Sequence, residues 1–396
     1  MSDRTVRLVA MGLGACALLA AVVGVMSARG SWPAALAAAD DNPRGTWSAE
    51  RQPEGEKGAA TVIQLRMQRR SGRGNWTNSH TMPLDKLEGL SAAELAAPSA
   101  EVRFAHKLDA GTFSFTGRFE AGVGAGHFTF TPSAEFIADM RRRGYAEVDE
   151  EKALALAVHD VSRAFIDELA DLGYRDVPLD KLMALRIHGA SAEYVRGLGA
   201  LGYRGLPLDQ VVAFRIHGAS LEFVRDMQQL GFRGLEADKL VAFRIHGVSP
   251  EYVRGLQELG FRGLPADQLV AFRIHGVSPE YVRGMQQQGY RDLDTDQLVA
   301  FRIHGVSPDF VRGFRDLGYT RLKGDELVAM RIHGVASDYV RELKGLGYEA
   351  VPVDELVQLR IHGVSTDFIR RVQQSSGKTV TLDRLVSMRI HGLGPD

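Results

Sequence analysis

Apolar and polar residues follow two different rhythms along this chain. Between Gly45 and Thr131 they alternate in short runs: "GTWSAER", "ATVIQLRMQRR", "GNWTNSHTM", "AEVRFAH", "GTFSFTGRF" and "GHFTFTP". Alternation with aromatic and β-branched residues predicts antiparallel strands with one buried face. In "GTFSFTGRF", Phe113, Phe115 and Phe119 fall on one side and Thr112, Ser114 and Thr116 on the other.

From Pro132 to Gly392 the rhythm becomes helical and repeats. "RIHG" begins at Arg186, Arg215, Arg244, Arg273, Arg302, Arg331, Arg360 and Arg389, always 29 residues apart, and one period earlier His159 stands in "LAVHD". Aromatic and glycine positions keep the same step, as Phe136 with Phe165 and Gly144 with Gly173, so nine units are counted. In the unit Val248 to Gly276, Ser249 is placed to cap a helix, Pro250 to open it, Glu251 to meet its positive end and Gly260 to stop it. Tyr252, Val253, Leu256 and Leu259 form its apolar face, and Gly255 permits close packing. After the turn "FRGL", a second helix is predicted over "PADQLVAFRIHG", with Asp267 in its first turn and Gly276 at its end. Helices of about ten to twelve residues are marginal alone in water, so neighbouring hairpins must stabilise one another by stacking. The predicted fold is α+β: a small antiparallel β-module, 45–131, followed by an α-solenoid of helical hairpins with a 29-residue period, 132–392.

The segment 1–30 has a third pattern. Leu8 to Ala28 carries no charge, follows Arg4 and Arg7, and precedes Arg29, the layout of a signal sequence or single membrane anchor. Export to the cell envelope or periplasm is expected, with an uncleaved inner-membrane anchor preferred and 31–44 as linker. Cys16, the only cysteine, lies in "LGAC", a lipoprotein-like box, but apolar residues continue beyond it, so a packing cysteine is preferred. One cysteine also excludes an intrachain disulfide.

Charge narrows the partners. Lys plus Arg number 48 against 49 Asp plus Glu, which leaves no global field for nucleic acid or an anionic membrane surface. The unit from Val248 to Gly276 balances Arg254, Arg262 and Arg273 with Glu251, Glu258 and Asp267, and Glu251 can pair with Arg254 three positions on. A self-compensated face is therefore favoured over a nucleic-acid groove.

Candidate chemistry is sparse. The glycines of "GVGAG", Gly122 to Gly126, lead into a strand and not a helix, so they predict a hairpin or bulge and no phosphate cradle. Asn75-Trp76-Thr77 formally matches a glycosylation acceptor and reads as a strand edge. The recurring histidines raise a metal hypothesis, but stacked units lie about 10 Å apart and each contains no second histidine or cysteine, so a helix-end role is preferred. Tyr and Phe interchange at the position of Tyr252, Phe310 and Phe368, which suggests packing between units. No catalytic residue, cofactor or metal ligand is assigned.

The stretches "DAGTFSFTGRFEAGVGAGHFTFTP" and "HGVSPEYVRGLQELGF" resemble a module pair of bacterial exported proteins, found C-terminally in some membrane metallopeptidases of the β-lactam-sensor type. The resemblance runs from about Trp47 to the end and implies an extracytoplasmic setting. The peptidase part is missing: no HExxH occurs, nor GxSxG, a Walker loop or a calcium loop. The expected function is therefore non-enzymatic: an exported scaffold binding a protein or peptide along the solenoid, touching the membrane only through its N-terminal segment. The alternatives are a sensory or regulatory domain for an envelope ligand and, after it, a histidine-based metal-binding protein.

Overall fold

The computed structural model describes residues 44–52, 61–71 and 74–394. The apolar segment and Cys16 lie outside them. Among the described residues, no helix is long and apolar enough to cross a membrane.

Six strands form one antiparallel sheet: β1 (Arg44–Arg51), β2 (Val62–Ser71), β3 (Gly74–Pro83), β4 (Ala100–Leu108), β5 (Gly111–Glu120) and β6 (Val123–Pro132). Their order is β3-β2-β1-β6-β5-β4, so hairpins build each half and β1 joins β6 between them. Phe113, Phe115 and Phe119 are buried as their alternation predicts. The sheet curls tightly over this aromatic core. In a flat sheet, β1 and β4 would lie about 14 Å apart, three strand spacings, yet the rings of Trp47 and Phe104 are centred 5.3 Å apart.

Glycines make the space for that curl. Gly117 of β5 stands opposite Gly126 of β6, and a Cβ on Gly117 would come 2.8 Å from the Trp47 ring and 2.2 Å from the Ala125 carbonyl oxygen. With the space open, the Trp47 indole N–H donates to the Thr116 carbonyl at 3.1 Å. Gly124 and Gly126 belong to β6, so the glycine-rich stretch is a hairpin entry and strand, as expected.

Helices then follow in pairs: Ala134–Arg142 with Glu150–Val158, Arg163–Asp171 with Leu179–Ile187, Ala192–Ala200 with Leu208–Ile216, Leu221–Gln229 with Ala237–His246, and Pro250–Glu258 with Ala266–Ile274. Pro279–Gln287 pairs with Thr295–Ile303, Pro308–Arg315 with Gly324–Ile332, Ser337–Gly345 with Val353–Ile361, and Thr366–Ser376 with Leu382–Ile390. The local signals work as anticipated. Tyr252 N–H donates to Ser249 Oγ at 3.2 Å, and Pro250 opens the helix. Tyr252, Val253 and Leu256 are buried, while Leu259 is half-buried. A Cβ on Gly255 would meet Pro279 of the following hairpin at 2.9 Å, so this glycine sets how closely first helices stack.

Charged contacts join the sheet to the array. Asp109, in the β4–β5 turn, accepts the backbone N–H of Arg163 at 2.7 Å and its guanidinium Nε and NH2 at 2.9 and 2.6 Å. Burial works against the ionised carboxylate, but the Arg163 bonds prevail and hold Asp109 below the usual range. Arg69 of β2 adds a pair to Glu151 at 2.7 Å.

Excising Val248 to Gly276 joins Gly247 to Val277, a Gly-Val junction already present at Gly276 and Val277. The shortened protein should remain helical, with its melting temperature by circular dichroism within about 5 °C of the parent, because only a repeated interface is lost. Removing only Val248 to Phe261 leaves the helix Ala266–Ile274 unpartnered and should lower the melting temperature much further.

Candidate interaction surface

From Leu179–Ile187 onward each second helix ends on a glycine with positive φ, for example Gly247 and Gly276 at 71°. Only glycine adopts this left-handed turn without strain, and the turn leaves the last helical carbonyls needing donors. The donor comes from the next hairpin. Arg273 Nε donates to the His246 carbonyl at 3.2 Å, Arg302 to His275 at 3.3 Å, and Arg186, Arg215 and Arg244 repeat the contact on His159, His188 and His217. Arg389 reaches the Gly363 carbonyl at 3.0 Å.

The flat face of each guanidinium is also occupied. Arg273 lies over Tyr252 at 4.8 Å from the ring centre, Arg331 over Phe310 at 4.6 Å and Arg389 over Phe368 at 4.9 Å. Cation–π contact needs a ring and no hydroxyl, which explains why Tyr and Phe interchange there. Where tyrosine is present, its hydroxyl adds a bond to the next hairpin: Tyr252 to the Val277 carbonyl at 2.6 Å, and Tyr281 and Tyr339 to Val306 and Val364 at 2.8 Å. Burial pushes the Tyr339 phenol up to about 12.

The "RIHG" histidines stand at the helix ends, as expected, but act there through the backbone and not the imidazole. His275 and His304 are C-cap residues through their backbones, and among the described residues no imidazole of the eight "RIHG" histidines bonds a helix-end carbonyl. Arginine from the following unit performs that task because its longer side chain spans the gap between stacked helices. No group of three or more potential metal ligands occurs among the described residues.

The isoleucine of the motif faces solvent. Ile187, Ile216, Ile245, Ile274, Ile303, Ile332, Ile361 and Ile390 are 44–58% exposed, although isoleucine is among the residues most often buried. The helical period explains the direction: Ile274 stands two residues, about 200°, from buried Phe272. Half-buried Val270 and Ala271 widen the patch, and Val299 and Ala300 repeat it on the next second helix. Exposed isoleucine thus recurs once per second helix, as the rungs of an apolar stripe.

Charges segregate between the two layers. On first helices, Arg254 pairs with Glu251 at 3.3 Å and Arg312 with Asp309 at 2.6 Å, the expected i,i+3 bridges. On second helices, Arg186 pairs with Asp160, whereas Arg215, Arg244, Arg273, Arg302, Arg331, Arg360 and Arg389 have no carboxylate within ion-pair distance among the described residues. The unit is neutral in sum, yet the guanidinium groups at the ends of its second helices have no contacting acid among the described residues, while the acids of those helices stand in their first turns, as Asp267, which pairs with Lys239. Charge totals from the sequence missed this asymmetry.

At the sheet end of the stripe lies a cleft of about 690 Å³, lined by His80, His106, His159, Lys86, Arg186 and Ile187 among others. Asp160 occupies the position that glycine holds in the later units, at φ 52°, and bonds Arg186. Burial lowers the pKa of His80, with a hydrogen bond to the Val158 backbone opposing; burial and then His80 lower that of His159.

Neither the family models nor the curated proteins compared with the chain match it. The functional reading therefore rests on the stripe and the cleft.

Arg302→Ala removes a carbonyl bond and a ring contact and should destabilise the array by about 1–3 kcal/mol in urea unfolding. Gly276→Val forces a β-branched residue into a left-handed turn where its Cβ would lie 2.8 Å from Arg302 NH2, and should cost at least about 1–2 kcal/mol. His275→Ala should change stability by less than about 0.5 kcal/mol.

The cleft histidines give stability a pH dependence of defined sign. Their folded pKa values lie below the ordinary 6.5, so as pH falls the unfolded chain binds protons first. Their contribution is complete above about pH 6.5 and declines as pH drops toward the folded values. Protonation also adds positive charge beside Lys86, Lys107 and Arg186, with Asp160 as the acid in the cleft. His80→Gln should flatten this part of the stability profile, read by hydrogen exchange in β3.

Proposed function

We propose that this chain is a non-enzymatic scaffold that binds a protein or peptide along the second-helix face of its array. One observation carries the reading: eight isoleucines at equivalent positions remain about half exposed, although covering the exposed half of each would be favourable by about 1 kcal/mol. Exposed apolar residues arranged contiguously mark interaction surfaces, while scattered ones need no explanation. The interlocked arginines below the stripe hold its rungs in register, which lowers the ordering cost of binding across several hairpins.

Export and membrane anchoring belong to the same proposal and rest on Leu8 to Ala28 with its flanking arginines. The resemblance to extracytoplasmic modules of β-lactam-sensor-type peptidases agrees with that location. A sensory reading has one observation in its favour, the histidine-lined cleft between sheet and array.

The test places a photocrosslinking amino acid at Ile274 or Ile303, and for comparison at Arg254 or Arg312 on the first-helix face, in cells making the full chain. A specific adduct from the isoleucine positions, lost in the triple variant Ile245→Ser, Ile274→Ser, Ile303→Ser, is expected. Adducts from the first-helix face alone would refute the assignment of the surface.

A further inference from the structure

The stripe carries charge information as well as apolar area. Each rung from Arg215 onward sets an exposed isoleucine beside a guanidinium that has no carboxylate partner among the described residues. In Arg215, Arg244, Arg273 and Arg302 the Nε is committed to a carbonyl and the flat face to an aromatic ring. What remains for a partner is the terminal NH1/NH2 edge, whose parallel donors match a carboxylate.

Resting on the docking face proposed above, we propose that its occupant is a polypeptide segment carrying apolar side chains and carboxylates together, one of each per rung. The apolar side chains meet Ile245, Ile274 and Ile303, and the carboxylates meet Arg244, Arg273 and Arg302. Charge complementarity selects this chemistry. A basic segment would face uncompensated guanidinium groups, and a nucleic-acid backbone would leave the row of isoleucines against charged phosphates. Packed helices lie about 8–10 Å apart, and a segment in the polyproline II conformation, with three residues per turn and about 3.1 Å per residue, repeats over about the same distance. Every third residue of such a segment then faces the same kind of rung.

The probe is a fluorescein-labelled peptide of repeated Leu-Glu-Ser, titrated by fluorescence anisotropy with the full chain in mild detergent. Repeated Leu-Lys-Ser and an oligothymidylate of equal length serve as the other arms. The acidic peptide should bind, and its affinity should fall by about tenfold or more between about 50 mM and about 500 mM salt. The triple isoleucine variant should lose about tenfold or more. Arg273→Gln should also weaken binding; because this arginine holds a unit joint, the salt dependence of the unaltered protein provides the independent reading.

The proposal is overturned if the acidic peptide does not bind, if its binding ignores salt, or if the lysine peptide or the oligothymidylate binds as tightly. It is also overturned if sedimentation shows a second copy on the stripe that the acidic peptide cannot displace. Should the peptide fail while crosslinking from Ile274 persists, the docking face stands and the acidic chemistry falls. Should the isoleucine variant leave crosslinking unchanged, the docking face itself falls.

Discussion

A short helix leaves its last carbonyl groups without donors, and the rest of this array is organised around satisfying them from the next unit. In the second-helix layer the donor is arginine, as Arg302 on the His275 carbonyl. In the first-helix layer it is glutamine: Gln257 Nε2 donates to the Leu230 carbonyl at 3.2 Å and Gln286 to Leu259 at 3.1 Å. Both devices reach backward from one hairpin to the end of its predecessor. Most hairpins are thus completed by the hairpin that follows, which helps helices of about nine residues persist here although they are marginal alone; Arg360 is an exception, its Nε being buried without a partner.

The same commitment determines what is left at the surface. Arginine is drawn down onto a carbonyl and an aromatic ring, and buried Phe272 turns Ile274 outward. On the first-helix face Arg254, Arg312, Arg341 and Arg370 pair with acids three residues earlier, whereas the "RIHG" arginines from Arg215 onward have no acid at contact distance among the described residues. One motif therefore serves both as the structural joint and as the source of the exposed apolar and cationic row. Within "RIHG" the arginine and glycine are therefore tied to the joint between units, and the isoleucine is left at the surface.

At the sheet end the repeat is altered to meet a different neighbour. Asp160 replaces glycine in the left-handed turn and supplies the carboxylate for Arg186, and Asp109 of the β4–β5 turn clasps Arg163. The cleft with His80 and His159 arises because the curled sheet, and not another hairpin, faces the first units. Ion pairs confined to this junction attach the module without changing how later hairpins stack.

The linear sequence by itself determined the strands, the helical hairpins and most of their ends. These depend on neighbours a few residues apart: Ser249 capping Tyr252, Pro250 opening a helix, Gly276 closing one, and Phe113 and Phe115 alternating with polar residues. Close packing at Gly255 and the Glu251–Arg254 pair were legible for the same reason. Only the tertiary structure decided that arginine, and not histidine, caps the helix ends, since Arg302 and His275 are far apart in sequence and meet only when units stack. It also decided that the isoleucines stay exposed and that, among the described residues, seven second-helix arginines have no acid at contact distance, although the unit from Val248 to Gly276 sums to neutrality. Exposure and charge compensation are properties of a face, and a face exists only after distant segments have been packed against one another.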